Sequence, residues 1–295
     1  MNTMNTTVTS APAPSSGLDL RRPLRPARAA AMTAFKALLL RDLAVQRKSL
    51  KEFIPRTILQ PFLLVFVFTY VFPKIGAGVG GGGGASAAFS TTLVTGVVGM
   101  AIMFQGIQQV ALPMVQEFGY TKEIEDRVMA PMPVWMVAIG KVVNGALSGL
   151  FSALLVFPIA AVVPATPVHL HVNWPVLLTI TPLACVLSAS FGLTFGTRFD
   201  PRQVPMLFGV ILIPMTFLGA IYYPWKALGA IKVGGFAWLK WLVVVNPLVY
   251  ICEGFRAALT RSPHMSLWVI YLVMLGFTAG LLSLGIKGFR RRVLS

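Results

Sequence analysis

Six stretches of roughly 20 residues run through this chain almost without an ionised side chain, at about 53–72, 89–115, 134–163, 174–195, 204–225 and 267–286. A bilayer core of about 30 Å takes about 20 apolar residues per crossing helix. Nothing else in the sequence limits the fold as severely. Composition agrees: 56% of the residues are hydrophobic and 12% charged, about half the charge of a soluble globular domain. Too little charge is present to cover a water-facing surface, and the apolar content is too high for a disordered chain. Cys185 and Cys252 are the two cysteines, which excludes a disulfide scaffold and a multi-cysteine metal cluster. The expected fold class is all-α, a polytopic membrane protein with six transmembrane helices.

The formal net charge of +16 raises the question of nucleic acid, and position answers it. Ten of the 25 basic residues lie in the first 56 positions, and Lys287, Arg290, Arg291 and Arg292 close the chain. Basic clusters flanking apolar spans set orientation and touch anionic headgroups. No basic surface interleaved with aromatics, of the kind that stacks bases, is present, so nucleic acid is not an expected partner. Lys and Arg counts in successive connections alternate from high to low, which places both termini in the cytoplasm. The connection 226–266 carries five cations, Lys226, Lys232, Lys240, Arg256 and Arg261, and breaks the alternation. An even number of spans fits two basic termini, so this connection is read as external.

Residues 1–28 are rich in Ser, Thr, Pro, Ala and Arg and are expected to form a disordered cytoplasmic tail without a secretory signal. From 29 to 53, Met32, Phe35, Leu39, Leu43, Leu50 and Phe53 recur at helical spacing, with Gln46 the polar intruder. That pattern predicts an amphipathic helix lying at the membrane interface. The six-span core is expected over 54–292.

Two segments are unusual. Residues 116–133 hold four of the nine acids, Glu117, Glu123, Glu125 and Asp126. Glu123 and Arg127 stand at i,i+4 and support a short helix, which Pro131 and Pro133 end. Such a charged cytoplasmic helix is either a lever for a soluble partner or a solvated loop. The second segment, 214–259, breaks apolar runs with Pro224, Gly229, Gly234, Gly235 and Pro247. Non-helical backbone at membrane depth must be buried or line a wet cavity, and a re-entrant hairpin over 236–260 meets that demand. Glu253 and Arg256 share a helical face there. An ionisable pair at this depth marks a functional position or an interfacial salt bridge of little energetic value.

Catalytic sets are missing. The glycine run Gly80–Gly84 is followed by Ala85 and Ser86, and Gly140-Lys141 lacks a leading glycine, so neither forms the phosphate-cradling loop of an ATPase. Gly145, Ser148 and Gly149 miss a serine-protease spacing and, with Ser152, suit close helix packing. His169 and His171 lack an evident third metal ligand. No catalytic residue, no metal site and no cofactor on this chain are expected.

QEFGYTKEIEDRVMAPMPVWMVAIGKV, followed by PMTFLGAIYYPW and NPLVYICEGFR, resembles the type 2 permeases of ATP-binding-cassette exporters. The subgroup it is most similar to is that of daunorubicin-resistance and lipooligosaccharide exporters. The resemblance covers about residues 30–292. It implies a permease of the prokaryotic plasma (inner) membrane that pairs with a second permease subunit, as homodimer or heterodimer, and with cytoplasmic ATP-binding-cassette ATPase subunits that bind ATP and Mg. It implies export of an amphipathic or lipid-linked substrate. Residues 117–130 match the helix that couples to the ATPase, carried here by Glu117, Gly119, Lys122, Glu123, Glu125, Asp126 and Arg127. The hairpin with Asn246, Pro247, Tyr250, Glu253 and Arg256 matches an outward gate. In relatives the second and fifth spans line the path, which points to Met100, Met103, Phe104, Phe208, Met215 and Phe217, whose plain alternative is packing. Two rival classes are a stand-alone ion-coupled carrier or channel, which would place charges mid-span, and a membrane-embedded enzyme.

Overall fold

The computed structural model of the chain describes residues 27–75, 83–121, 132–164, 170–200, 202–232 and 236–294. Among them every long element is helical. α1 is Ala27–Lys48, and α2 runs Leu50–Lys74. α3 is Gly83–Gln116 and continues as a wider π-helical turn, Glu117–Thr121. α4 is Val134–Val162 and α5 is Trp174–Arg198. α6 is assembled from Val204–Leu207, a π-turn Phe208–Leu212, and Ile213–Phe217. α7 is Trp238–Leu242, α8 is Pro247–Leu259 and α9 is Leu267–Leu294. The π-turn Val67–Val71 in α2 precedes Pro73, whose missing N–H leaves the carbonyl of Thr69 without its usual donor.

Five helices are long and apolar enough to cross a membrane: α2, α3, α4, α5 and α9. They match the first four expected spans and the last. α3 is the central post, 78% buried along its most apolar window, against 22% for α2 and 17% for α9. Around it α4, α5 and α8 pack, and α9 lies along α5. In lipid the outward apolar faces need no cover, so helix association rests on close packing. Gly192 of α5 makes the point: a Cβ there would stand 2.6 Å from the carbonyl oxygen of Ile107 on α3. The small residues of α4 serve likewise. A Cβ on Gly145 would meet Val110 at 2.4 Å, and Gly149 faces Cys185 of α5. Gly192→Val is therefore expected to destabilise by roughly 1–3 kcal/mol, because backbone and not a pliable side chain is in the way. Gly276→Ala, where nothing lies within 4 Å, should stay within about 0.5 kcal/mol. Detergent melting curves of the two variants check both.

Two expectations are corrected. The N-terminal helix stops at Lys48, with a break at Ser49, and does not continue to residue 53. The face it turns to the bundle overlaps the apolar stripe only in part. Leu38, Asp42 and Gln46 are the buried positions, spaced four apart, while Met32 and Leu43 are exposed. Gln46 donates to Ser148 Oγ at 2.7 Å, and Phe35 and Leu38 lie over Gly140 of α4. Polar and apolar contacts share this face, and the polar intruder in the pattern makes one of them.

The second correction is the fifth span. α6 ends at Phe217, so 14 residues from 204 to 217 rise about 21 Å, short of a bilayer core. The chain then turns at Leu218–Ala220 and makes a short 3-10 helix, Trp225–Ala230. The expected re-entrant hairpin over 236–260 falls on a bent helix pair. Its two arms, Trp238–Val245 and Pro247–Leu259, are bent by 96°, and the break falls at Asn246.

Chain direction restores the parity that helix length alone leaves open. Thr179 contacts Tyr271, Thr194 Oγ1 donates to Leu281 O at 2.8 Å, and Arg292 donates to Gly196 O at 3.1 Å. α5 and α9 thus run parallel. The connection between them must carry the chain back from the end of α5 to its beginning. Indeed the amide of Asn173, at the start of α5, donates to Ala258 O at 2.7 Å, at the end of α8. Short, broken helices make that return because it is tied together by polar groups.

Candidate functional site

Two buried ion pairs stand at opposite ends of the bundle. The first is on α8. Asn246 caps it: its Oδ1 accepts from the amide of Leu248 at 3.0 Å, and its Nδ2 donates to Met215 O at 2.7 Å, linking α6 to the hairpin. Pro247 occupies the first turn, where its missing N–H does no harm. The Tyr250 hydroxyl donates to Val244 O at 2.9 Å, across the bend. All 13 residues of α8 are buried.

Glu253 and Arg256 lie three apart on this helix, form an ion pair and are 0% exposed. Glu253 Oε1 also accepts from the amide of Trp225 at 2.9 Å, and Oε2 accepts from the amide of Met265 at 2.8 Å. Arg256 donates to Ala220 O at 2.9 Å. Ala220 has φ 56°, an uncommon left-handed conformation for a residue with a Cβ. One carboxylate and one guanidinium therefore hold three irregular segments, the turn after α6, the start of the 3-10 helix and the approach to α9. Each receives a partner for a backbone group that no helix supplies. Asn246, Pro247, Tyr250, Glu253 and Arg256, picked out from the sequence as one cluster, are brought together on this one helix and its N-cap. Nearby, Lys240 sits 4.2 Å above the Trp225 ring, and the indole donates to Lys240 O at 3.2 Å.

The second pair joins Glu117, in the π-turn after α3, to Lys141 of α4, with side chains 7% and 6% exposed. Beside it Phe118 meets the Phe289 ring edge-on at 5.8 Å and the Arg292 guanidinium at 5.0 Å. Arg292 in turn donates to Phe199 O at 2.8 Å. The end of α3 is thus bound to α4, α5 and α9 where the acidic elbow begins. Gly119 is exposed at the end of this turn. Lys122, Glu123, Glu125, Asp126 and Arg127 lie outside the described residues, as do His169 and most of the glycine run Gly80–Gly84. Glu117 is a buried anchor and not a surface contact.

Lys141 is the member that sequence reasoning missed. Its signal was present: it is the single ionised side chain in the stretch 134–163, and such a group marks function or a partner by default. What hid it was the 24-residue separation from Glu117.

Of the residues named for a path, Met100, Met103, Phe104, Phe208 and Met215 belong to or pack against the main core. Met100 and Met103 are fully buried in the main core, Phe104, Phe208 and Met215 are half-buried, and Phe217 is exposed. Met100 and Phe104 do border a polar cavity of about 150 Å³ between α2, α3 and α4, with Arg56, Gln105, Gln108 and Ser152. Arg56 donates to Gln108 Oε1, and Thr57 to Gln105 Oε1 at 3.4 Å.

Comparison with known proteins fits this arrangement. The inner membrane transport permease YadH of Escherichia coli strain K12 is 28% identical over 166 residues, 56% of this chain and 60% of that protein. The protein of the same name from Shigella flexneri matches to the same extent. The chain thus spans about 60% of the length of the curated relatives it matches. A family model described as ABC-2 type transporter matches residues 33–260. That match runs from the packed N-terminal helix to the far end of α8 and takes in both ion pairs, so the chain belongs to the ABC-2 type transporter family.

Proposed function

We propose that this chain is the membrane-spanning permease subunit of an ABC exporter, moving an amphipathic or lipid-linked substrate out of the cytoplasm. ATP and Mg are bound by separate ATPase subunits, since no phosphate-cradling motif occurs in the sequence. The observation that carries this reading is the anchored elbow. Glu117–Lys141 and the Phe118–Phe289–Arg292 cluster bind its base, at the end of α3, to α4, α5 and α9. A push delivered at 117–130 would therefore move helices and not only a loop. The exposed apolar faces of α2 (Leu59, Leu63) and α6 (Met206, Val210, Phe217) are where a second permease subunit would seat and enclose a path. Both termini are cytoplasmic and the 236–260 hairpin faces outward in this reading.

A stand-alone ion-coupled carrier is less well supported. Glu253 is fully buried and accepts from Arg256 and two amides, so its charge is already matched by a fixed cation and is not offered to a travelling ion. The test reverses Glu123, Glu125 and Asp126 to Lys in the complete complex. Recovery of the ATPase with the tagged permease is expected to fall at least about tenfold, as three attractive contacts become repulsive. Membrane insertion should be unchanged. Undiminished recovery, or transport by the lone chain, would defeat the proposal.

A further inference from the structure

The basic end of the bundle contains a cavity of about 470 Å³ that the reading above does not use. Its walls are Arg198, the last residue of α5, and Leu284, Lys287, Gly288, Arg290 and Arg291 of α9. Helix geometry explains the assembly. Positions 284, 287, 288 and 291 share one face of α9 at three- and four-residue spacing. Gly288 lets the two helices touch: a Cβ there would stand 2.7 Å from Thr197 Oγ1. With the backbones that close, the long cationic side chains are left around the rim.

No acid lines the cavity, and among the described residues none of the four cations makes an ion pair or hydrogen bond. Arg292, next in sequence, is engaged elsewhere. It donates to Gly196 O and Phe199 O and lies 3.9 Å from Asp200. Four like charges around one small space repel each other unless an anion enters. The surroundings identify which kind. α9 is the least buried of the spanning helices. Trp268, Leu272 and Leu275 are exposed in its first half, and Gly276, Gly280 and Leu284 further along, a surface that acyl chains would cover. The cavity lies at the end of that surface, at headgroup depth, with Leu284 on its membrane side.

We infer that this cavity is a binding site for an anionic phospholipid carrying two phosphates, a diphosphatidylglycerol headgroup, with Arg198, Lys287, Arg290 and Arg291 as its ligands. Basic pockets between spanning helices hold such headgroups. Two phosphodiesters give each phosphate a pair of cations and offset two of the four positive charges, where a lipid with a single phosphate offsets one. The acyl chains then run from Leu284 along the exposed Gly280 and Gly276 of α9.

The test uses the full chain extracted from bilayers containing diphosphatidylglycerol, phosphatidylglycerol and phosphatidylcholine in equal amounts, with retained lipid identified by native mass spectrometry. Diphosphatidylglycerol should be retained most, and high salt should strip it. Arg198→Gln, Lys287→Gln, Arg290→Gln and Arg291→Gln combined should lower its retention about tenfold or more. Arg261→Gln, at the other end of the bundle, should leave it unchanged. If the fourfold variant fails to fold, Lys287→Gln with Arg291→Gln and the salt titration of the unaltered chain give the same reading. Equal retention of phosphatidylcholine, or of diphosphatidylglycerol by the variants, would overturn the inference. So would equally tight binding of inorganic pyrophosphate alone, which would assign the cavity to a soluble anion. Loss of ATPase recovery with lipid retention intact would assign it to an acidic protein surface instead.

Discussion

Arg256→Ala is expected to be the most damaging single truncation in the chain, costing about 3–5 kcal/mol of stability. Glu253 and Arg256 are both fully buried, so removal of the guanidinium leaves a carboxylate out of water with no cation to offset its charge. Ala220 O, held in a strained turn, loses its donor as well. Arg256→Lys should recover only part of the loss, because one ammonium on a shorter reach cannot serve Glu253 and Ala220 together. Replacing both members by apolar residues, often neutral for a buried pair, should fail here. The amides of Trp225 and Met265 depend on the same carboxylate and would be left unpaired. Glu253→Gln separates the contributions: one oxygen remains to accept, and an NH₂ is forced toward a donor. Melting of the detergent-solubilised chain, followed through Trp fluorescence, gives the order. An Arg256→Ala variant as stable as the unaltered protein would show that the three irregular segments hold themselves.

Lys141→Ala should come second, at roughly 3 kcal/mol by the same physics, since it removes the cation facing the buried Glu117. Its consequence differs in kind. The pair sits at the base of the elbow, so the proposal requires ATP-driven transport to fall further than stability does. The charge swap Glu117→Lys with Lys141→Glu restores the attraction while exchanging the ends. A double-mutant cycle over the two sites should then show coupling of about 0.5–3 kcal/mol. Additive single effects, with no recovery in the swap, would mean that the two side chains act independently. The contrast with Glu123, Glu125 and Asp126 matters: reversing those should spare stability and cost ATPase recruitment.

Much of the architecture was legible because its causes are local. A run of about 20 apolar residues decides its own environment, and five of the six expected spans are long helices. Glu253 and Arg256 were legible as neighbours because three residues make most of a helical turn. Asn246 and Pro247 were legible only through the resemblance, and the structure makes them the N-cap and first residue of α8. Where the outcome depended on distant partners, pattern failed. The N-terminal helix buries Gln46 because Ser148, 102 residues away, offers it an oxygen. The fifth span is cut short at Phe217 although its residues are apolar enough to continue. Gly219 packs against Leu248, and Ala220 must present its carbonyl to Arg256.

Residue order alone therefore settled the medium and the units: hydrophobicity and helix rise are properties of short stretches, and they say lipid and helices. Position in space settled everything polar. A charge buried in a membrane protein is tolerable only beside its complement. The complement of Glu117 came from 24 residues away, and Arg198 shares a cavity with Arg291 only because α5 and α9 run parallel and touch at Gly288. No window of sequence contains those meetings, since they exist only once the helices have packed.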